Sequence, residues 1–514
     1  MKNYARVLLA TTLFTVSLQA QTKDQMVKSI MDETFQNSQL ETLAYELMDE
    51  IGPRLVGSPK MQQAHDWAVK RFENWGIQAQ NEKWGEWKSW ERGTSTIEMV
   101  SPYVKSIEGM QLAFSPATPA GGITADVVML PTFKNKEDLN QFLTKVKGKL
   151  VMVSQYQPSG RPEYNWKEFA TPESFEKMKK ETAEASEAWR KSIAASGETS
   201  KTLNERLEKA GAAGIISSYW SRGFGVNKIF AAGTKTIPVV DVALEDYGQL
   251  YRMIQHGKTP KLKIVAQSKD KGTAPTFNTV AVIKGSEKPE EFVILSAHLD
   301  SWDGGTGATD NGTGTITMME VARILKKHYP NPKRSIVVGL WGSEEQGLNG
   351  SRGYVWAHKD QMPNVQAVFN QDNGTGRIAN ISGQGFLHSY DYIGRWLSAV
   401  PRELTKGIET SFPGFPGGGG SDHASFVAAG VPAFMLSSLN WSYGNYTWHT
   451  NRDTYDKIVF DDVKSNVATI AILTYMASED EKASAERIKL PNNPRTGEPM
   501  SWPEVKEPTR KGGF

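Results

Sequence analysis

The side chains best suited to chemistry in this sequence each follow a short apolar run. Phe-Val-Ile-Leu-Ser leads into His298 and Asp300, and Ser-Ile-Val-Val-Gly-Leu-Trp leads into Glu344 and Glu345. A third run, Val-Gln-Ala-Val-Phe-Asn, leads into Asp372. Such runs predict buried strands, and open α/β sheets bind ligands beyond the carboxyl ends of their strands. We therefore expect these side chains to meet at one rim of a sheet.

A Gly-rich loop between the first two runs supplies another carboxylate. The loop spans 304–314, so that Asp310 falls close to a helix start. One His and several carboxylates suit zinc or a similar divalent ion. With a second His, the donors exceed the needs of one tetrahedral site. Two ions that share one bridging carboxylate would use the full set and leave open positions for a bridging water.

The second His must come from elsewhere in the chain. His449, in the run Trp-His-Thr-Asn-Arg-Asp-Thr, is the best candidate, and His423, in Gly-Ser-Asp-His, is the competitor. Because Glu344 and Glu345 are adjacent, one can bind metal while the other takes a proton from the water. Each motif alone is typical of a surface loop or a solvated helix start. Their joint occurrence, each after a strand, favours a metal site.

The composition excludes several classes of protein. The chain has 514 residues, 39% hydrophobic and 23% charged, which is typical of a globular protein of two to four domains. Lys and Arg number 59 against 57 Asp and Glu, so there is no basic excess for nucleic acid. There is no Cys, which excludes disulfides, thiolate nucleophiles and Cys-based metal sites.

The first 20 residues have the pattern of an export signal. Lys2 and Arg6 precede a short apolar stretch, and Leu-Gln-Ala ending at Ala20 offers a cleavage site. No later segment has the roughly 18–20 continuous apolar residues of a membrane helix. We therefore expect an exported protein, periplasmic or secreted, without a membrane span.

Changes of pattern divide the rest of the chain. Helical spacing extends from residue 23 to about 82, and strand-like runs follow over 84–114. Later, apolar strands alternate with helices such as 314–328, whose surface carries one polar stripe. This alternation predicts an α/β fold with a mixed, largely parallel central sheet flanked by helices. The predicted units are a signal peptide (1–20), the N-terminal part of the catalytic unit (21–122), an inserted β-rich unit with a helical excursion at 166–209 (123–268), the catalytic unit (276–485) and a loosely docked tail (486–514).

Two of these motifs resemble those of a known family. HLDSWDGGTGATDNGTG at 298–314 and WGSEEQGLNGSRGY at 341–354 are similar to the co-catalytic dizinc exopeptidases, which include secreted aminopeptidases and glutamate carboxypeptidases. The closest resemblance is to the carboxypeptidase Q branch. Residues 123–268 resemble the protease-associated domain inserted in many members, through LEKAGAAGIISS at 207–218.

The resemblance implies a role for each candidate residue. Glu345 and His449 would bind one zinc ion, His298 and Asp372 would bind a second, and Asp310 would bridge both. Glu344 would be the general acid/base. Asp300 would orient His298 by a hydrogen bond. The peptide bond after the bridging Asp is commonly cis in the family.

The sequence departs from the family pattern at one place. Several members have a Tyr near the reacting carbonyl, whereas the corresponding positions here are Gly418 and Trp448. Tyr443 and Tyr446 are nearby substitutes, and ordinary packing explains either of them equally well.

The expected activity is hydrolysis of a peptide bond at a chain terminus or in a dipeptide. The substrate is a peptide, and a homodimer is allowed. Carboxypeptidase action needs a basic group or amide nest for the carboxylate, for which Arg352, Arg377 and Gly417–Gly420 are candidates. Two alternatives remain: a single-zinc enzyme of the glutaminyl cyclase type, and a catalytically inactive binding protein with a peptidase fold.

Overall fold

The computed structural model describes residues 23–513. The predicted signal peptide, 1–20, lies outside the described residues. Within 23–513, no helix combines the length and the apolar character needed to cross a bilayer.

A central sheet positions the candidate residues. Its strands are β8 (Lys261–Ile283), β9 (Lys288–His298), β10 (Arg334–Trp341), β11 (Val365–Asn370), β12 (Ile378–Ser382), β13 (Glu409–Ser411) and β14 (Ala433–Ser438). Four of them run parallel in the order β14, β11, β9, β10, with β12 antiparallel on one side and β8 antiparallel on the other. The short strand β13 extends the sheet beyond β12. The predicted mixed, largely parallel sheet is confirmed.

Helices cover both faces of this sheet, as predicted. All eight residues of β10 are buried, because apolar helices pack on both sides. One face is covered by helical residues 23–36 (α1) and by α2 (Leu40–Ala44), α3 (Pro59–Asn74), α9 (Thr313–His328) and α14 (Phe460–Glu479). The other face is covered by α10 (Asn349–Ala357) and α13 (His423–Ala428). The remaining helices of this unit are α11 (Ser389–Leu397) and α12 (Arg402–Thr405).

The polar stripe of α9 contacts the N-terminal segment, with Glu320 and Arg323 buried and Lys327 exposed. Arg323 donates to Glu33 at 2.6 Å, and Lys327 donates to the same carboxylate at 2.7 Å. Glu320 accepts the backbone N–H of Gln39 at 3.0 Å. The stripe therefore anchors the start of the described chain.

The inserted unit has its own parallel strands. β4 (Ile123–Met129), β5 (Leu150–Met152), β6 (Gly214–Ser217) and β7 (Val239–Val242) pair in that order, and β3 (Gly109–Gln111) joins β7 antiparallel. The segment predicted to be helical, 166–209, contains most of α5 (Glu163–Phe169), α6 (Pro172–Ser196) and α7 (Ser200–Lys209). The unit also contains α4 (Lys136–Leu143) and α8 (Leu244–Gln255).

A long antiparallel ribbon joins the two units. β8 crosses the predicted boundary at 268–276 without a break, and β1 (Gln78–Ser101) pairs with it over most of its length. A two-residue strand, β2 (Lys105–Ser106), extends β1. The domain division stays a prediction, since both units share these strands.

Two local predictions are wrong. The helical pattern does not continue to residue 82, because Gly76 ends α3 at a positive φ of 71° and β1 begins at Gln78. The C-terminal tail is not loosely docked throughout. Its last strand, β15 (Lys511–Gly512), pairs with β1, and Trp502 packs on Phe386.

Candidate metal centre

Three parallel strands end at the rim that carries the candidate residues. β9 ends at His298 and lies between β10 and β11. Glu344 and Glu345 lie just beyond the end of β10, and Asp372 lies just beyond the end of β11. Because these strands are parallel, their carboxyl ends meet at one edge, as the sequence predicts.

The first group of side chains is His298, Asp310 and Asp372. Nε2 of His298 lies 3.2 Å from Oδ1 of Asp372 and 3.5 Å from Oδ1 of Asp310. All three residues are buried. One nitrogen and two carboxylate oxygens thus converge at the rim.

The second group is Asp310, Glu345 and His449. Nε2 of His449 lies 2.9 Å from Oε2 of Glu345 and 3.4 Å from Oδ2 of Asp310. In each group, the three atoms able to bind a metal lie within 4.8 Å of one another. Asp310 belongs to both groups and turns one oxygen toward each. The competitor, His423, belongs to neither.

The two groups contain buried carboxylates that a bound cation would stabilise. Burial raises the pKa of Glu345 well above its ordinary value, and the charge of Asp310 adds to the effect. Burial lowers the pKa of His449 to about 4. Among residues 23–513, Oδ2 of Asp310 and Oε1 of Glu345 are buried without a hydrogen-bond partner. Buried carboxylates are costly without a partner, so these residues fit a site for divalent cations.

His298 differs from His449 in the direction in which its pKa is shifted. Burial disfavours its charged form, but the charge of Asp372 and hydrogen bonds to acidic neighbours outweigh burial and raise the pKa well above the ordinary value. Its ring is oriented from the other side, where Nδ1 donates to the backbone oxygen of Asp300 at 2.9 Å. A His fixed in this way presents Nε2 to the rim.

The Asp300 carboxylate has a different main partner from the one expected. Its Oδ1 lies 3.5 Å from Nδ1 of His298, farther than the backbone oxygen that orients the ring. The same carboxylate accepts the backbone N–H of Glu344 at 3.0 Å and that of Glu345 at 3.3 Å. Asp300 therefore fixes the Glu pair as well as bordering His298.

Glu344 lies beside both groups without belonging to either. It is partly exposed, so it remains accessible from the rim. Burial and the charges of Asp372 and Asp422 raise its pKa well above the ordinary value. A carboxyl group whose pKa lies above its ordinary value is suited to accepting and returning a proton.

Comparison with known proteins shows what the chain is similar to. Residues 278–474 match the model of peptidase family M28. Human carboxypeptidase Q is 28% identical over 462 residues, which cover 87% of this chain and 86% of the relative. The resemblance of the motifs to that branch of the family is thereby confirmed.

Solved structures share the fold of this chain. A peptidase M28 precursor from Shewanella amazonensis has a TM-score of 0.66 at 24% identity, covering 90% of this chain and 98% of that one. A zinc aminopeptidase from Bacillus subtilis has a TM-score of 0.55 at 18% identity, covering 87% and 96%.

Two charged residues that the sequence does not single out hold the Gly-rich loop at 304–314. Arg54 donates to the backbone oxygens of Leu299, Thr306 and Gly307 at 2.6–2.8 Å. Burial lowers its pKa to about 10, against the charge of Asp453. Arg54 lies outside every motif, and no spacing connects it to a loop some 245 residues later.

Asp453 fixes the bridging residue itself. Its carboxylate accepts the backbone N–H of Thr309 at 2.8 Å and that of Asp310 at 3.0 Å. Burial and the charge of Asp310 raise its pKa to about 7. The signal available in the sequence was the run Trp-His-Thr-Asn-Arg-Asp-Thr around His449, in which Asp453 is the acidic residue. The peptide bond between Asp310 and Asn311 is cis, as the family resemblance implies.

The two tyrosines considered as substitutes separate clearly. Burial, followed by the charge of Asp310, raises the pKa of Tyr443 well above its ordinary value, because its hydroxyl faces that carboxylate. The hydroxyl of Tyr446 instead lies 3.2 Å from that of Tyr164 in the inserted unit. Tyr443 is therefore the tyrosine at the rim.

Proposed function

We propose that this chain is an exported zinc exopeptidase with two metal ions, which hydrolyses peptide bonds at chain termini or in dipeptides. The observation that carries the proposal is the pair of three-residue groups that share Asp310. An intact donor set argues against an inactive binding protein. The name of human carboxypeptidase Q and the zinc aminopeptidase of Bacillus subtilis support an exopeptidase that uses zinc.

In this proposal each group holds one zinc ion. His298 and Asp372 would hold one ion, Glu345 and His449 would hold the other, and Asp310, which belongs to both groups, would serve both. Zinc held there would supply Lewis-acid chemistry and a water of lowered pKa. Both His rings are directed by neighbours: Asp300 accepts from His298, while the ring of His449 packs against Phe230 at 5.1 Å between centroids.

Glu344 moves the proton. It accepts the proton of the attacking water and then delivers it to the amine that leaves. Asp300 keeps the Glu344 backbone in place through the hydrogen bond to its N–H. Tyr443 is the group at the rim that can donate a hydrogen bond to the carbonyl oxygen as negative charge develops.

Zinc content and one isosteric variant test the proposal. Elemental analysis of the purified protein should find about two zinc ions per chain. Glu344→Gln should keep both ions and lower kcat on dipeptides by about 10²–10⁴-fold, since only the proton acceptor is lost. Substantial activity in this variant would exclude the role of Glu344.

The same measurements separate the main alternative. One zinc ion per chain, with release of ammonia from peptides that begin with Gln, would replace the proposal by a glutaminyl cyclase type of enzyme.

Export is tested by the intact mass of the protein outside the cytoplasm, which should correspond to a chain that begins at Gln21.

A further inference from the structure

Lys228 brings a largely buried positive charge from the inserted unit to the candidate metal centre. The residue is only 8% exposed, and its Nζ lies 4.0 Å from the centre of the Trp448 ring. Trp448 directly precedes His449. Within the described residues 23–513, no carboxylate lies within the 4.0 Å of an ion pair with this ammonium group. A buried cation without an acidic partner is costly unless it serves a ligand.

Backbone hydrogen bonds fix Lys228 relative to His449. The N–H of Ile229 donates to the backbone oxygen of His449 at 2.7 Å, and the N–H of Asn451 donates to that of Asn227 at 3.0 Å. The loop carrying Lys228 is thus bonded to the segment that supplies a candidate metal ligand. The fold therefore sets the position of the Lys228 backbone relative to His449.

A buried acid organises the same loop from behind. Asp241 accepts the backbone N–H of Tyr219 at 2.8 Å and that of Lys228 at 3.3 Å. It also accepts from the side-chain amide of Asn227 at 3.2 Å. Asp241 thus orders the Lys228 backbone, while the Lys228 side chain lies over the Trp448 ring.

The charge of Lys228 reaches the candidate metal centre. Burial lowers the pKa of Lys228 to about 8, while the charges of Asp310 and Asp241 act to raise it. The Trp448 ring that this ammonium group contacts lies 4.2 Å from the ring of His449 between centroids. The cation is therefore separated from a candidate metal ligand by a single side chain.

A cavity of about 390 Å³ adjoins Lys228 on the side of the inserted unit. Phe230, which contacts His449, and Lys228 line it together with Trp189 and Ile193 from α6. This volume is within the range of small-molecule sites. The helical excursion therefore forms a wall of a cavity beside the candidate centre.

We propose that Lys228 determines specificity by binding the free C-terminal carboxylate of a short peptide substrate. The inference rests on the proposed function and adds the substrate class: the scissile carbonyl lies at the metal centre and the C-terminal residue extends into the cavity. Arg377 is less suited, since it lies 3.5 Å from Asp462 and is about half exposed. The N–H of Gly417 is also occupied, because it donates to Gln384 at 2.8 Å.

The test compares one dipeptide with its amide. Purified protein with its metals is assayed on L-alanyl-L-alanine and on L-alanyl-L-alaninamide. The wild type should prefer the free carboxylate by about tenfold or more in kcat/KM, because a charge-assisted hydrogen bond is lost with the amide. Lys228→Met should bring this ratio close to one, mainly through a higher KM for the free dipeptide. Lys228→Arg should restore most of the preference.

Controls separate this effect from a structural one. Lys235→Met removes an exposed lysine of the same unit and should leave the ratio unchanged. Lys228→Gln provides a second neutral variant if Lys228→Met does not fold. An equal loss on both substrates, with the ratio kept, overturns the inference and assigns Lys228 to support of His449. Equal cleavage of both substrates by the wild type also overturns it but leaves the proposed function standing, whereas cleavage of neither rejects the proposed function itself.

Discussion

The Asp300 carboxylate accepts a hydrogen bond of 3.0 Å from the backbone N–H of Glu344. The contact links the residue after β9 to the residue after β10 and so ties two strand ends together at the rim. The proposed proton acceptor is therefore held by its own main chain, while its side chain remains partly accessible.

Asp300→Asn should weaken this link while keeping the size of the side chain. The amide group has one acceptor oxygen and must turn a donor toward one of the two backbone N–H groups that the carboxylate now binds. We expect activity on dipeptides to fall by about 10- to 100-fold, as is typical when an outer partner of a metal site is changed. Asp303→Asn is the matched control, because it removes a nearby carboxylate that pairs with Arg92 at 2.7 Å instead. Equal losses in both variants would contradict a specific role for Asp300.

Glu345→Gln should lower the metal content selectively. The variant removes a charged donor from the group with His449 but leaves His298, Asp310 and Asp372 intact. Elemental analysis should show zinc falling from about two ions per chain toward one. The adjacent Glu344→Gln variant serves as the control and should retain both. If the two variants kept the same zinc content, Glu345 would not be a ligand.

Arg54→Met should destabilise the loop that carries Asp310. The variant keeps much of the side-chain length but leaves the backbone oxygens of Leu299, Thr306 and Gly307 buried without their donor. We expect a loss of about 3 kcal/mol or more in the free energy of unfolding, together with weaker zinc binding. Urea unfolding and zinc titration measure the two effects. Arg377→Met, at a half-exposed arginine, should cost less than about 1 kcal/mol.

His65 should make stability depend on pH below about 6.5. It is buried in α3, and its Nδ1 lies 2.8 Å from the hydroxyl of Thr279. Burial lowers its pKa in the folded protein to about 3. The unfolded chain therefore binds a proton that the folded chain does not, so the free energy of unfolding falls as the pH drops from about 6.5 toward 3.

A neutral variant isolates this contribution. Between pH 7 and pH 5 the wild type should lose about 2 kcal/mol more than His65→Gln, which cannot titrate. Urea unfolding at the two pH values gives the difference, and His256→Gln controls for removal of an exposed histidine. Parallel pH profiles for the wild type and His65→Gln would show that His65 is not the group responsible.

The sequence predicts the central sheet well because its strands are fully buried. Continuous apolar runs such as those before His298 and Asp372 have few other structures available to them. Helix α9 was also predictable, although its polar stripe contacts α1, as Arg323 does with Glu33. That contact depends on a distant segment, which helical spacing alone cannot reveal.

The sequence predicts those residues of the candidate site that directly follow a strand. It does not predict those whose position depends on how distant loops meet. The strand ends bring His298, Glu345 and Asp372 to one rim, and a motif gives Asp310. The choice between His449 and His423 depends on loop paths, so the residue pattern favoured His449 without excluding His423. Arg54 and Lys228 have no recognisable spacing, because each reaches the rim from a different part of the fold. Their contributions are visible only in tertiary contacts.

The ribbon of β1 and β8 has a practical consequence for dividing this protein. The inserted unit cannot be excised by cutting two loops, since the same two strands complete the sheets on either side. A shortened chain that ended these strands early would expose unpaired backbone groups, which favour aggregation. Fragments for expression should therefore keep 78–101 and 261–283 whole, and β15 with them, because β15 is hydrogen-bonded to β1 and a C-terminal fusion would emerge from the edge of that ribbon.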